Sequence, residues 1–291
     1  MICNICPRKC GVNRSLLPGF CNETNKIKIA RAALHYFEEP VISGQNGSGA
    51  VFFCGCNLRC IYCQNHAIST GGNAGFNVSK NELPLVFKKL VYAGAHNINL
   101  VTPTHYTDVL SEIIPIKHSV PVIWNSNGYE RFETLEKLKN KVDVFLPDLK
   151  YYDDSLALKY SNAPNYFKVA TKALEKMYNM VGDVKIGEDG LIKKGLIIRH
   201  LVLPGQIENT IKIIDFIKKN YKDKALFSLM FQYVPPTKDL PDELNRRVNK
   251  YEYEKATEYL LASGIVNGFV QDRSSASIKY LPNFDGTGII K

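Results

Sequence analysis

Residues 49–65, GAVFFCGCNLRCIYCQN, join an apolar run to a loop that is dense in cysteine. The run at 49–55 has the composition of a buried β-strand, and Cys56, Cys60 and Cys63 follow it in a C-x3-C-x2-C arrangement. Thiolates at short spacing on one loop are typical ligands of an iron–sulfur cluster, whereas zinc usually takes four ligands. Because the spacing supplies three thiolates, it predicts a metal centre with one coordination position left for another molecule.

The cysteine loop also has more ordinary interpretations. Cys54 lies two residues before Cys56, so its thiol points to the same side of an extended strand or is simply a small buried hydrophobic group. The loop as a whole could be a redox CxxC pair accompanied by cysteines without a role. A three-thiolate centre directly after a strand accounts for more of the pattern, and it is our working hypothesis.

The composition restricts the class of protein. The 291 residues suffice for one large α/β domain or two small ones, and no uncharged apolar run approaches the ~18 residues of a membrane span. The first residues, MICNICPRKC, lack the apolar block of a signal peptide, so we expect a cytoplasmic protein with reduced thiols and no membrane partner. The formal charge of +9 is spread along the chain, and thiolate ligands would lower it, so nucleic acid is not expected as the main partner.

Beyond the cysteines, apolar β-branched segments alternate with segments of helical periodicity. The predicted strands lie at 49–55, 98–104, 120–128, 142–150, 195–205 and 225–236, and the predicted helices at 81–95, 106–116, 130–140, 165–182, 208–221 and 250–264. Strands as apolar as these are typical of a parallel sheet buried on both faces. Because six β-then-α units are too few for a closed eight-unit barrel, we expect an α/β fold, a partial (β/α)6 TIM-like barrel, with a doubly wound sheet as the alternative. The polar segment 181–195 is predicted to be an excursion from the barrel.

A second set of cysteines, Cys3, Cys6, Cys10 and Cys21, has a C-x2-C-x3-C-x10-C arrangement. Four thiolates suit a tetrahedral zinc or iron ion, or a closed [4Fe-4S] cluster. Three interpretations therefore stay open: a structural zinc-like site, a second iron–sulfur cluster, and thiols without a metal. We expect residues 1–45 to form a short cysteine-rich metal-binding extension and residues 46–291 to form the barrel with a C-terminal segment.

The loop sequence GCNLRCIYCQN resembles the signature of the radical S-adenosylmethionine (SAM) enzymes. In that superfamily three cysteines hold a [4Fe-4S] cluster, and the fourth iron binds the amino and carboxylate groups of SAM. The resemblance implies that the three loop cysteines hold such a cluster and that Tyr62 lies near the adenine. It also implies a one-electron donor such as flavodoxin or ferredoxin, and reductive cleavage of SAM to a 5′-deoxyadenosyl radical that abstracts hydrogen.

Pieces from about residue 1 to 271 are similar, more narrowly, to the pyruvate formate-lyase-activating enzymes, especially a branch with an N-terminal CxxCPRxCGVNR…GFC motif. WNSNGYE resembles their TNG turn and assigns Ser126 and Asn127 to the SAM site. LPDLK resembles their D-x-K motif, which places Asp148 and Lys150 beside the methionyl group and ribose of SAM. RHLVLPG resembles their RxVxPG motif, which places Arg199 against SAM. All of these residues lie at predicted strand ends, where active sites of such barrels gather.

One stretch departs from the superfamily pattern. After the second strand many members carry Gly-Gly-Glu, which receives the SAM amino group, whereas this chain has NLVTPTHY. The hydroxyl of Thr102 or Thr104, or backbone carbonyls, would have to take that role. His105 in the same stretch either faces the substrate or is structural. The acids Glu38 and Glu39 are predicted to lie on a strap across the sheet face.

These observations leave two classes of function. The first is a radical SAM enzyme, either an activase that makes a glycyl radical on a partner protein or an enzyme that modifies a peptide, nucleotide or small molecule. The activating-enzyme motifs favour the activase, while the N-terminal cysteines and the missing Gly-Gly-Glu favour direct modification. The second class is a metal-stabilised binding module without catalysis, which predicts zinc in place of iron at the cysteine loop.

Overall fold

The structure is a computed structural model that describes residues 2–70 and 74–289. Its strands are β1 (Ile27–His35), β2 (Ser48–Phe53), β3 (Phe76–Val78), β4 (Ile98–Val101), β5 (Val122–Ser126), β6 (Val144–Pro147), β7 (Lys185–Ile186), β8 (Ile192–Leu201), β9 (Leu226–Met230) and β10 (Gly268–Val270). Its α-helices are α1 (Pro40–Ser43), α2 (His66–Ser69), α3 (Leu83–Tyr92), α4 (Thr107–Ile113), α5 (Phe132–Leu135), α6 (Asp154–Ser161), α7 (Tyr166–Val181), α8 (Ile207–Tyr221) and α9 (Lys250–Ser263). Short 3₁₀ turns lie at Thr104–Tyr106, Glu136–Leu138, Asp242–Leu244, Arg273–Ser275 and Ile278–Tyr280. In these described ranges, no helix has both the length and the apolar character that crossing a membrane requires.

The central strands form a parallel sheet, as their apolar sequences predict. The order across the sheet is β10-β9-β8-β6-β5-β4-β2-β1-β3, with β7 paired to β8. Pairing is parallel from β2 to β10, and the two edges of the sheet do not pair with each other, so the barrel is open. Strands β2, β4, β5 and β6 are buried along their whole length, as strands covered on both faces are. The expected α/β partial barrel is confirmed.

Several element limits differ from the prediction. The strand expected at 98–104 ends at Val101, because Thr102 takes a positive φ of 59° and Pro103 cannot donate to a strand ladder. The helix expected at 130–140 divides into α5 and a 3₁₀ turn. The segment 181–195 forms a hairpin in which β7 pairs antiparallel with β8. Strands β3, β7 and β10 were not predicted because two or three residues are too short to show a period. Strand β1, which pairs antiparallel with β2 and β3, was missed as well.

The connection from β1 to β2 crosses the interior of the barrel. We call residues 36–44 the strap; it contains α1, whose Ile42 is fully buried. Its apolar neighbours in the barrel interior are Ile123, Val144, Leu146, Ile192 and Ile197. This contact holds Glu38 and Glu39 inside the space that the strands enclose. Residues 1–45, which we expected to form a separate cysteine-rich extension, therefore contribute β1 and the strap to the barrel. The domain boundary at residue 45 stays a prediction.

The C-terminal segment returns to the opposite edge of the sheet. After β10, Gly286 N donates to Ala30 O at 2.9 Å, and Ala32 N donates to Thr287 O at 2.8 Å. Arg31 of β1 also forms an ion pair of 3.3 Å with Asp285. The segment therefore bridges β10 and β1 and covers the open side of the barrel.

We expect Ile42→Ala to lower the free energy of unfolding by about 2–5 kcal/mol, because it leaves a cavity between strands that cannot collapse onto it. Urea denaturation followed by circular dichroism measures this change. Ile116→Ala is the control, since that side chain is 67% exposed and its truncation should cost less than about 0.5 kcal/mol. Equal losses in the two variants would contradict the anchoring role of Ile42.

Candidate active site

A cavity of about 640 Å³ opens at the carboxyl ends of the parallel strands. Every residue that the sequence assigned to the cluster or to SAM contributes to its wall: Cys56, Cys60, Tyr62, Cys63, Thr102, Ser126, Asn127, Asp148, Lys150 and Arg199. The volume lies in the range of cofactor and substrate pockets. The fold therefore brings together side chains from five different strand ends, at the rim where barrels of this class carry their chemistry.

The cysteine loop begins with a turn that requires glycine. Gly55 has a φ of +82°, and a Cβ atom there would lie 2.5 Å from Glu23 Cγ and 2.6 Å from Cys21 O. Only a residue without a side chain can take this conformation so close to a neighbouring backbone. Further along, Ile61 N donates to Tyr160 O at 2.9 Å, which ties the loop to the end of α6.

Each thiol of the loop lies within hydrogen-bond distance of a polar side chain. Asn127 Nδ2 lies 3.4 Å from Cys56 Sγ, Ser161 Oγ lies 2.9 Å from Cys60 Sγ, and Ser69 Oγ lies 3.3 Å from Cys63 Sγ. Burial raises the pKa of Cys56 to about 12 and that of Cys60 to about 11. A coordinated metal would reverse this shift, because a ligating thiol gives up its proton.

The three thiols suit a cluster better than a single ion. Across residues 2–70 and 74–289, no group of three or more His, Cys, Asp or Glu side chains is arranged to hold one metal ion. A cubane cluster does not need that arrangement, because each thiolate binds a different iron atom. The donor set therefore fits a [4Fe-4S] cluster with one iron left for another ligand.

A chain of buried hydroxyl groups leads from the cavity wall to one of these thiols. Tyr62 and Tyr151 share a hydrogen bond of 2.7 Å between their hydroxyls, and Tyr151 shares another of 2.7 Å with Ser161. Ser161 then donates to Cys60 Sγ. The ring of Tyr62 also meets the ring of Tyr233 edge to face, with centroids 6.1 Å apart. These contacts hold the Tyr62 ring in one orientation against the cavity.

A network of ion pairs forms another part of the cavity wall. Asp148 accepts from Lys150 Nζ at 2.7 Å and from Arg199 Nε at 3.0 Å. Arg199 also donates to Glu38 Oε2 at 3.0 Å and to Asn125 Oδ1 at 2.6 Å. Burial alone would raise the pKa of Asp148, but Lys150 and Arg199 outweigh burial and hold it below its usual range. Sequence reasoning placed Glu38 on a strap but missed this pairing, since nothing local links residues 161 positions apart.

The turn after β5 is held by one tyrosine. Tyr166 OH donates to both Asn127 O and Asp148 O, each at 2.8 Å. Gly128 has a φ of +75°, and a Cβ atom there would lie 2.5 Å from Asp148 O. The turn thus fits tightly against the end of β6, which fixes the spacing between the Asn127 and Asp148 regions of the wall.

The end of β4 leaves one threonine facing the cavity. Thr102 lines the cavity wall, whereas buried Thr104 donates to Glu130 Oε1 at 2.8 Å. His105 Nε2 lies 2.7 Å from Cys54 O, and burial lowers the pKa of His105 to about 3. The hypothesis that His105 faces the substrate is therefore wrong, because its ring lies beneath the cysteine loop as a neutral structural group.

The N-terminal cysteines lie outside the cavity and against the cysteine loop. Cys21 O accepts a hydrogen bond of 3.3 Å from Cys56 N. Burial, together with the nearby thiols Cys21, Cys10 and Cys3, raises the pKa of Cys6 to about 12, so the four side chains lie near one another. A metal at this site, whether zinc or iron–sulfur, stays a prediction.

Comparison of the sequence with known proteins gives a match to a family profile and to one curated protein. The sequence profile of the Radical SAM superfamily matches residues 50–217. An uncharacterized protein of Methanocaldococcus jannaschii is 35% identical over 269 residues, which cover 88% of this chain and 73% of that protein.

Two solved structures have a similar fold. A radical SAM methyltransferase from Sphaerobacter thermophilus has a TM-score of 0.52 at 13% identity, over 77% of this chain and 66% of that one. HydG, a maturase of the [FeFe]-hydrogenase, has a TM-score of 0.51 at 12% identity, over 73% of this chain and 48% of that one. The chain thus spans about half to two thirds of the length of these two proteins, and at such identities the likeness concerns the fold alone.

Proposed function

The chain belongs to the radical SAM superfamily, and from that premise we propose that it is an enzyme that uses a [4Fe-4S] cluster and SAM to abstract hydrogen from a substrate. The observation that carries this proposal is the meeting of three thiols and an Asp–Lys–Arg network in one cavity. When bound, the cluster and SAM supply the chemistry: one electron breaks the sulfonium C–S bond to give methionine and a 5′-deoxyadenosyl radical.

The protein's own groups hold and orient these cofactors in this proposal. The three loop thiolates would bind the cluster, and the nearby amide and hydroxyl donors would stabilise their negative charge. Arg199 has five N–H donors, and the described contacts use one on each of its three nitrogens, so two stay available for a carboxylate. Asp148 would accept from an ammonium group or a ribose hydroxyl. The segment after β10 would keep water from the cavity, since Ser277, Tyr280 and Leu281 line it.

The direct test is anaerobic reconstitution with iron and sulfide, followed by reduction and addition of SAM. We expect about four irons at the cysteine loop, absorption near 400 nm, and release of 5′-deoxyadenosine. Zinc at this loop, with no iron and no absorption, would instead support the non-catalytic binding module. A fully loaded cluster that cleaves no SAM under any reductant would overturn the enzymatic proposal.

The resemblance to pyruvate formate-lyase-activating enzymes favours an activase that places a glycyl radical on a partner protein, with flavodoxin or ferredoxin as electron donor. Direct modification of a peptide, nucleotide or small molecule is the alternative. The absence of Gly-Gly-Glu after β4, where this chain has Thr102, favours this alternative. A glycyl radical signal by electron paramagnetic resonance on a candidate partner separates the two. Loss of hydrogen from a small molecule in cell extract, without such a signal, would favour direct modification.

For the N-terminal cysteines we propose a structural metal, either zinc, which the four-thiolate spacing favours, or a second iron–sulfur cluster, which fits better with the finding that no three such side chains in the described residues are arranged around one ion. We expect Cys6→Ser to lose one zinc per chain, or about four irons, and to destabilise the segment that supports the cysteine loop. Metal analysis of wild type and variant, purified in parallel, measures the change. Cys54→Ser is the control, because Cys54 Sγ is buried beside Ala74 O, away from the N-terminal thiols. Identical metal contents in wild type and Cys6→Ser would contradict a metal at this site.

A further inference from the structure

Glu39 is a buried acid that the proposed cofactor chemistry does not use. It precedes α1 on the strap, is 8% exposed, and contributes to the cavity wall. Its Oε2 atom is fully buried and accepts no hydrogen bond from any residue in the ranges 2–70 and 74–289. Its side chain does not cap α1 either. An unbonded carboxylate oxygen in a cavity is costly, and it points to a ligand that supplies the missing donor.

Within the described residues, no ion pair joins Glu39 to a cation of the cavity wall. The wall carries three carboxylates, Glu38, Glu39 and Asp148, but two permanent cations, Lys150 and Arg199. Lys150 pairs with Asp148, and Arg199 pairs with Asp148 and Glu38. His35 also lines the wall, but burial lowers its pKa and keeps it neutral. The cavity wall therefore has one carboxyl group more than it has permanent cations, and a cationic ligand beside Glu39 would favour its charged form.

Glu39 lies on the β8–β9 side of the cavity, near Arg199 and Ser228. The Ser228 hydroxyl of β9 and the Arg199 guanidinium lie near enough to lower its pKa, although burial raises the pKa overall. Thr102, which stands where the superfamily binds the SAM amino group, follows β4, four strands from β9 in the sheet. Glu38, the preceding residue, accepts a hydrogen bond of 3.0 Å from Asn99 Nδ2 of β4.

Strand β9 connects the surroundings of Glu39 to the cysteine loop. The cysteine loop contacts β9 through Gln64 Nε2, which donates to Gln232 O at 3.1 Å. Ser228 precedes Gln232 by four residues, which is about 13 Å of extended chain. Our proposal places the substrate between these two points.

We propose that Glu39 binds a protonated nitrogen of the substrate, an ammonium or a guanidinium, a proposal that rests on the function proposed above. Aromatic residues near it suit such a group: Phe37, Phe52, Phe269 and Tyr280 also line the cavity, and the rings of Phe37 and Tyr280 lie 4.8 Å apart. Ring faces attract cations, and their apolar surface would cover an alkyl stem. The nitrogen could belong to a free amine or to a basic side chain of a peptide.

The test uses the full chain with its cluster reconstituted and SAM present. Ligand-observed NMR would measure the binding of n-butylamine, of N-acetyl-lysine methylamide and N-acetyl-arginine methylamide, and of butan-1-ol as the neutral match. We expect at least one cation to bind at least tenfold more tightly than butan-1-ol, a preference that Glu39→Gln reduces to within about twofold. The relative affinities of butylamine and the amino-acid amides distinguish a free amine from a peptide side chain.

Two further variants make the result specific. Glu258→Gln, at an exposed position of α9, should keep the full preference, and Glu39→Asp, which keeps the charge, should keep part of it. The inference would be overturned if the wild type bound none of the cations more tightly than butan-1-ol. It would also be overturned if Glu39→Gln kept the wild-type preference for a cation. Loss of SAM affinity in Glu39→Gln to the same degree would also overturn it, since Glu39 would then serve the cofactor. If the wild type itself binds no SAM, the proposed function fails; if SAM binds normally, only this inference is at stake.

Discussion

Replacing Cys60 by alanine is expected to remove the cluster and to lower SAM cleavage by at least about 100-fold. Loss of an outer-shell partner of a metal site alone typically costs 10–100-fold, and Cys60 is proposed as a direct ligand. Its thiol lies in the middle of the loop and accepts a hydrogen bond of 2.9 Å from Ser161. Labile-sulfide analysis, absorption near 400 nm and 5′-deoxyadenosine release measure the loss.

Cys54→Ala is the matched control for this experiment. Cys54 stands in the same stretch and is 1% exposed, but it is not part of the cavity wall. Its variant should therefore keep cluster and cleavage, at a cost of about 1 kcal/mol in stability from the lost side-chain volume. Survival of cleavage in Cys60→Ala, or equal loss in both variants, would show that the ligand assignment is wrong.

We expect Asp148→Asn to weaken SAM binding at least about tenfold while the cluster content stays at the wild-type level. Asparagine keeps the shape but removes the negative charge that Lys150 and Arg199 share. A charge-assisted hydrogen bond contributes about 1.5–3 kcal/mol, which corresponds to this loss of affinity. Equilibrium dialysis with SAM and iron analysis of the same samples measure both quantities.

The same substitution should also lower the free energy of unfolding by about 3 kcal/mol, because it leaves buried cations without their counter-charge. Binding must therefore be measured at a temperature where the variant is folded. Asp108→Asn is the control, since Asp108 forms an exposed ion pair of 2.7 Å with Lys137 and should affect neither property. Loss of cluster together with unchanged SAM affinity would contradict the role proposed for Asp148.

Much of the fold could be predicted because its signals are local. Each of the six predicted parallel strands has an apolar run that indicates a buried strand, and each is present in the sheet. Their ends could not be placed as well, because Thr102 and the short α5 depend on turns whose geometry is set by neighbouring strands. Strand β1 and the short strands β3 and β10 pair with partners that are distant in sequence, and their own residues carry no clear period.

Within the candidate site, the sequence by itself determined which residue types meet: three thiols on one short loop, and an Asp and a Lys two positions apart on one strand end. Covalent spacing alone keeps such groups together, whatever the rest of the chain does. Only the tertiary structure decided that Glu38 pairs with Arg199, that Oε2 of Glu39 accepts no hydrogen bond within the described residues, and that His105 lies beneath the loop. These outcomes depend on the path of the strap through the barrel and on which charged side chains become neighbours in the interior. Neither can be read from a local sequence pattern.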